Sequence, residues 1–468
     1  MNVGHATDGV ALHERTHASS PLARGRSRSE VAGGSQGVDG GGHVRAGRAR
    51  RFAERRARDG AICASVAAMP ATPSPAEPSA ALRRRAVDVD AMRTLARRVL
   101  PRPVFDFADG GAESEWTLRR NESAWRAHAL LPRPLDGSPA RDLTVTLLGR
   151  TLSMPIMIGP TGLAGLFWPD GELASARAAA AAGTAYCLSH GSVCTLEALA
   201  AQGSAPRWMQ VFVYRDRGFT RELTDRAAAA GYDALVLTVD NQLLGNRLRD
   251  RRNGFGIPPR FGPLQLAGMA RQLPWLWRMR RALRGLTFGN YVRPGSTESL
   301  ATLAGRMGSL LDPAMDWDDV RALRERWRGP LVIKGLLHPD EALQAARLGV
   351  DAVVVSNHGG RQLDGAVSSA EALPRVVDAL REAGSAMPVL VDGGVRRGGD
   401  VATALALGAS AVLVGRPQLW GLAVAGEAGV AHVLALLRTE LDTAMGLLGA
   451  RRVADLDRSR LVPLAPVR

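Results

Sequence analysis

The stretch Ala352-Val353-Val354-Val355-Ser356-Asn357-His358-Gly359-Gly360-Arg361-Gln362-Leu363-Asp364 decides how this chain is read. Its first four residues form a short apolar, largely β-branched run, the pattern of a strand buried on both faces. An imidazole, two glycines and a guanidinium then follow within four residues, which is the pattern of a working barrel rim and not of a packing element. His358 can exchange a proton near neutral pH, Arg361 can fork onto a carboxylate, and the glycines let backbone approach a ligand closely.

Outward from this stretch the same pattern recurs. Strands are expected at 154–159, 184–189, 208–214, 234–240, 331–334, 352–356, 389–392 and 411–414, with helical patterns among them at 172–182, 221–230, 340–348, 373–382 and 400–407. Short buried strands alternating with helices imply parallel pairing and right-handed crossovers, and eight of them imply an α/β fold closed into a TIM (β/α)8 barrel. A doubly wound open sheet is the alternative reading of the same alternation.

Barrels of this kind carry their chemistry at the C-terminal strand ends. There this chain places Pro160, Thr161 and Gly162 after the first strand, Ser189 at the second, Gln210 and Phe212 in the third, and Thr238 and Asp240 at the fourth. Lys334 ends the fifth, His358 and Arg361 follow the sixth, Asp392, Gly394 and Arg396 lie at the seventh, and Gly415 and Arg416 follow the eighth. The glycines and arginines after the last two strands stand where barrels bind a phosphate through backbone N–H groups and guanidinium charge. Lys334 is the only lysine in a chain that otherwise uses arginine, which singles out a position needing a compact ammonium.

The formal charge is +15, but residues 1–85 supply +7 of it, from fourteen Arg against seven Asp and Glu. No aromatic and basic interleaving recurs along the rim, so a nucleic-acid platform is not expected. Cys63, Cys187 and Cys194 lack C-x-x-C spacing, which argues against a disulfide framework and a zinc site and fits a reducing cytoplasm. Neither a long uninterrupted apolar run nor a leader pattern is present in the sequence.

Residues 1–85 are rich in Arg, Gly, Ala and Pro and read as a disordered extension, with Met69 a candidate translation start; residues 86–468 then hold the barrel. After the fourth strand comes an insert at about 250–315, too long for a plain loop. Its residues 251–297 hold nine Arg and no Asp or Glu around Pro274-Trp275-Leu276-Trp277-Arg278-Met279-Arg280-Arg281. Tryptophans beside arginines suit contact with an anionic membrane surface.

The motif at 356–364, Val-Asp-Gly-Gly-Val-Arg-Arg-Gly at 391–398 and Ala-Leu-Ala-Leu-Gly-Ala at 404–409 together resemble the FMN-dependent α-hydroxy-acid oxidase and dehydrogenase family. The segments 154–165 and 332–337 look most like its mandelate dehydrogenase branch, and the lactate dehydrogenases are the other near branch. The resemblance covers roughly residues 87–462 and implies FMN as cofactor and oxidation of an (S)-2-hydroxy acid to the 2-oxo acid, with electrons passed to a quinone or similar acceptor. It implies His358 as base with Asp240 orienting it, Arg361 and Arg247 gripping the substrate carboxylate, and Lys334 beside the flavin N1 and O2 edge. Pro160, Thr161, Gly162, Ser189, Gln210 and Thr238 match flavin contacts; Asp392, Gly394, Arg396, Gly415 and Arg416 match the ribityl and phosphate site. Gly162, where many family oxidases have alanine, favours a dehydrogenase.

By the same resemblance the protein is expected to be a homo-oligomer, as a tetramer, and peripheral on the inner face of the cytoplasmic membrane through its insert. Two positions depart from the family: its substrate-binding tyrosines are matched by Phe107 and Phe212. Each change removes an O–H donor worth about 0.5–1.5 kcal/mol, or up to about 3 kcal/mol toward a charged partner. Tyr214 falls on the same side as Phe212 by strand alternation and is not taken to replace it. The alternatives are therefore an oxygen-using oxidase, or a flavoprotein with an atypical substrate or no hydroxy-acid turnover.

Overall fold

Eight parallel strands close on themselves in the computed structural model, which describes residues 77–254, 268, 272–291 and 310–464. They are β1 (Ile156–Ile158), β2 (Tyr186–Leu188), β3 (Arg207–Val211), β4 (Ala234–Thr238), β5 (Leu331–Leu336), β6 (Ala352–Val355), β7 (Val389–Asp392) and β8 (Ala411–Val414). β8 pairs with β1 in register Val412 to Ile156 and Val414 to Ile158, which closes the TIM barrel. The outer helices are α1 (Gly171–Ala181), α2 (Leu196–Ala200), α3 (Arg217–Ala229), α4 (Trp317–Arg326), α5 (Pro339–Arg347), α6 (Ser369–Glu382), α7 (Gly398–Ala406) and α8 (Arg416–Leu447).

Strand alternation sorts the core into two layers. Ile156, Ile158, Leu235, Leu237, Val353 and Val355 join the large cluster under the helices, while Met157, Ala234, Val236, Ala352 and Val354 form a separate cluster inside the barrel. A hairpin of Val145–Leu147 and Arg150–Leu152 adds Leu147 and Leu152 to the inner cluster, and Arg150 donates to Asp233 just before β4 at 2.9 Å. The N-terminal end of the barrel is thereby plugged. Two residues beyond the inner apolar layer, the same alternation turns Ser189, Gln210, Thr238, Lys334, Ser356 and Asp392 inward at the C-terminal end.

Several boundaries differ from those read in the sequence. β3 stops at Val211, whose pairing with Leu237 is the last it makes with β4, and Tyr214 instead forms an isolated bridge with Leu311. β5 continues to Leu336 through a register shift at Gly335, whose φ of +111° only glycine adopts readily. Ala80–Arg85 is helical, capped by Ser79 and anchored by buried Leu82, so the extension expected to be featureless stops short of residue 85. Its earlier part, with Met69 and Cys63, lies outside the described residues, as do most positions between 255 and 309. α8 is apolar and long enough to cross a membrane by length and composition, but it is broken at the non-helical Ala425 and Gly426 and packs against α1 and the helix Val89–Val99 as a core element.

Candidate active site

A cavity of about 270 Å³ opens at the C-terminal end of the barrel. Pro160, Thr161, Gly162, Ser189, Gln210, Phe212, Thr238, Lys334 and Asp392 line it from the strand ends, with Gly394 and Arg396 after β7 and Gly415 and Arg416 after β8. Phe107, Arg247, His358 and Arg361 complete the expected set on its wall. Asp240 stands behind that wall, in contact with His358.

His358 occupies the left-handed region at φ +58°, a conformation costly for a side chain other than glycine and held here by its surroundings. Its backbone N–H donates to Ser356 Oγ at 3.0 Å, and its Nδ1 lies 3.0 Å from Asp240 Oδ1. Burial lowers the imidazole pKa, and Lys334 and Arg247 push the same way against the opposing pull of Asp240, so the ring is neutral at pH 7. Burial alone would raise the Asp240 carboxyl, but His358 and Lys334 outweigh it and hold it below the ordinary range. Gly335 makes room for that carboxylate, since a Cβ there would lie 2.8 Å from Asp240 Cβ and Cγ.

Lys334 is 4 % exposed. Its Nζ donates to Ser356 Oγ at 2.8 Å and pairs with Asp392 Oδ2 at 2.9 Å. Burial acts to lower its pKa, yet the two carboxylates of Asp392 and Asp240 win and keep the ammonium charged. The only lysine of the chain is thus a fixed positive charge in the barrel mouth.

Three guanidiniums, Arg247, Arg361 and Arg416, line the cavity with no carboxylate within ion-pair reach among the described residues, while Asp250 acts on Arg247 and Arg361, and Asp109 on Arg361 and Arg416, from further off. Arg361 Nη1 donates to the carbonyls of Phe107 at 2.8 Å and Gly110 at 3.0 Å, and its Cζ lies 5.5 Å from the Phe107 ring centroid. Arg416 donates from Nε to Ala108 O at 3.0 Å and from Nη2 to Gly110 O at 2.9 Å. Arg247 reaches Gln362 Oε1 at 3.4 Å. Burial and mutual repulsion push Arg361 well below its usual pKa, and burial with Arg396 nearby pushes Arg416 to about 10. Arg396 alone is balanced, by Glu122 at 2.6 Å. Such an array is built to receive anions.

Residues 96–463 match the FMN-dependent dehydrogenase family. The chain belongs to that family. It is 44% identical over 374 residues to L-lactate dehydrogenase of Stenotrophomonas maltophilia (strain K279a), covering 80% of this chain and 97% of that enzyme. Over 376 residues it is also 44% identical to L-lactate dehydrogenase of Caulobacter vibrioides (strain NA1000 / CB15N), with the same coverage, 80% and 97%. Among solved structures, the monotopic membrane protein (S)-mandelate dehydrogenase matches with a TM-score of 0.77 and 38% identity, over 81% of this chain and 99% of that one. Mandelate oxidase with (S)-4-hydroxymandelic acid matches with a TM-score of 0.69 and 38% identity, over 80% and 98%.

For an FMN-dependent dehydrogenase the donor set fits. Thr238 Oγ1 and Asp392 Oδ1 are buried polar atoms without a partner among the described residues, as a ligand-binding wall requires. Gly415 opens helix α8 with no side-chain cap, and apart from Pro417, which has no N–H, its first-turn N–H groups point to where a phosphate would sit beside Arg416. Three cationic side chains without a carboxylate in ion-pair reach suit a phosphate and a substrate carboxylate together.

Further wall residues escaped the sequence reading: His190, Gly191, Asn241, Leu244, Phe288 and Leu311. His190 directly follows Ser189, so asking which residue continues past each strand end would have found it. Phe288 lies within the insert and Leu311 near its end, and no spacing rule connects either to the rim. Tyr214, behind Phe212 with ring centroids 6.3 Å apart, does not reach the cavity.

Proposed function

We propose that this FMN-dependent dehydrogenase oxidises an (S)-2-hydroxy acid to the 2-oxo acid through His358, Asp240, Arg247 and Arg361. The observation that carries the reading is the 3.0 Å His358–Asp240 pair beside a cavity lined by Arg247, Arg361 and Arg416. His358, neutral at working pH, takes the proton of the substrate hydroxyl at Nε2 while Asp240 holds Nδ1–H and steadies the imidazolium that forms. Arg361 and Arg247 grip the carboxylate, which fixes the substrate's α-carbon over the reacting face.

FMN, when bound, would supply the acceptor for the α-hydrogen and the electron pair of the Cα–H bond that breaks as the hydroxyl proton passes to His358. Pro160, Thr161, Gly162, Ser189, Gln210 and Thr238 would line its ring, and Asp392, Gly394, Arg396, Gly415 and Arg416 its ribityl and phosphate end. Lys334 brings a positive charge where negative charge develops. Phe107, Phe212, Phe288, Leu244 and Leu311 make much of the remaining wall apolar, which favours an acid with an apolar side chain.

A quinone or similar membrane acceptor would then reoxidise the enzyme, with a homo-oligomer sitting peripherally on the inner face of the cytoplasmic membrane. The support lies in the helix Leu273–Met279, which turns Leu273 (67 %) and Trp277 (70 %) to solvent while Trp275 and Met279 anchor it to the barrel. Arg280 lies over the Trp277 ring at 4.0 Å, a pairing suited to an anionic interface. The test is to incubate FMN-loaded protein with each enantiomer of lactate and mandelate and a soluble quinone, quantifying 2-oxo acid and oxygen uptake. Product from (S)-acids with little oxygen uptake supports a dehydrogenase; uptake matching product would make it an oxidase, and no product from any acid would refute the reading.

A further inference from the structure

We propose that His190 is a substrate-contacting residue of this site, whose Nε2–H donates to an oxygen of the bound hydroxy acid, and that Tyr214 and Tyr291 are positioning residues that fix the required tautomer. The inference rests on the hydroxy-acid reading above and adds to it a donor outside the expected set.

His190 is 6 % exposed and stands on the cavity wall, edge-on to Phe212 with ring centroids 4.2 Å apart. Its Nδ1 meets the hydroxyls of Tyr291 and, at 2.9 Å, Tyr214, and those hydroxyls lie 2.6 Å from each other. The proton count selects one arrangement. With Nδ1 as acceptor, one hydroxyl donates to Nδ1 and the other donates to the first, so every proton is used. With Nδ1 protonated, the ring nitrogen cannot accept, and one buried hydroxyl proton has no acceptor within the triad.

The favoured tautomer carries its hydrogen on Nε2, for which no acceptor appears among the described residues. Burial, with His358 nearby, pushes the His190 pKa down to about 3, so the ring stays neutral and keeps one donor throughout the working range. The backbone is fixed as well: His190 N–H donates to Gln210 Oε1 at 3.2 Å, and its carbonyl accepts from Asn290 Nδ2 at 3.3 Å. The segment carrying Asn290 and Tyr291 thus clamps the loop after β2 from two sides. Phe212 offers no donor, and the imidazole packed on its ring is the adjacent polar group of that wall.

The test compares His190→Leu, His190→Gln and Tyr291→Phe as FMN-loaded enzymes, using the hydroxy acid that best reduces the wild type. His190→Leu should raise KM roughly tenfold or more with kcat little changed, the signature of a lost hydrogen bond to a charged or polar substrate oxygen. His190→Gln, which retains an N–H donor, should stay within about threefold of wild type, and Tyr291→Phe should fall between. Equal KM values for Leu and Gln variants, a Leu variant within about threefold of wild type, or loss of FMN in place of substrate affinity would overturn the role. Should the Leu variant fail to fold, an unchanged KM in both Tyr291→Phe and Tyr214→Phe overturns it instead. Failure of the hydroxy-acid reading appears separately, as a wild-type enzyme that no hydroxy acid reduces.

Discussion

Asp240→Asn isolates the part of the site that makes His358 a base. The substitution keeps the size of the side chain facing Nδ1 at 3.0 Å but removes its charge and lets an amide N–H oppose the ring, so the wrong tautomer is stabilised. The His358 pKa is a balance in which burial, Lys334 and Arg247 lower it and Asp240 raises it. Without Asp240 only the lowering influences remain, and the imidazole becomes a weaker base. A hydrogen bond to a charged group is worth about 1.5–3 kcal/mol, which corresponds to roughly 10- to 150-fold. Proton transfer by a positioned base contributes on the order of 10²–10⁴. The expected result is a fall in kcat/KM of about 10²-fold or more, with FMN content unchanged because Asp240 is not on the cavity wall.

The pH profile gives the sign. Activity needs neutral His358, so kcat/KM rises with pH through a pKa below 6.5 and is level above it; in the variant that acid limb moves to still lower pH. The assay is kcat/KM against pH for both FMN-loaded enzymes. A variant within about threefold of wild type, or an acid limb displaced to higher pH, would refute the reasoning.

Gly335→Ala places a Cβ 2.8 Å from Asp240, so steady-state turnover should drop about tenfold or more although residue 335 touches no ligand. Lys334→Met removes the buried cation facing the half-buried Asp392 and Asp240 and should lower stability by about 1–3 kcal/mol in urea unfolding. Burial acts to raise the pKa of Asp109, but Arg93, at 2.6 and 2.8 Å, wins and holds it below 3.8. That pair therefore stabilises the fold fully above pH 3.8 and is lost as pH falls through the lower folded value, so melting temperatures measured from pH 5 downward should fall more steeply in wild type than in Asp109→Asn. Trp277→Ala should reduce co-flotation with anionic vesicles while leaving turnover of a soluble acceptor intact.

The barrel was legible because each of its strands is a short, largely apolar run with polar residues or glycine close by its C-terminal end. Val389–Asp392 and Ala411–Val414 were read to the residue, since a carboxylate and a glycine mark where packing gives way to rim. The rim residues were legible for the same reason, with alternation carrying Gln210, Thr238, Lys334 and Asp392 inward past the apolar layer. Less was visible where tertiary contacts decide. The apolar pattern of Phe212-Val213-Tyr214 makes β3 look longer than it is, although its pairing with β4 ends at Val211 opposite Leu237. The His190–Tyr214–Tyr291 cluster joins three segments that spacing cannot bring together, and Tyr291 comes from an insert whose periodicity is weak.

The central claim is tested most directly by mixing the FMN-loaded protein anaerobically with (S)-lactate, (S)-mandelate and their enantiomers while following the visible flavin absorbance. The account predicts bleaching by an (S)-acid and not by its enantiomer, with recovery on adding a quinone. A flavin that stays oxidised with every 2-hydroxy acid, yet is reduced by dithionite, would contradict it.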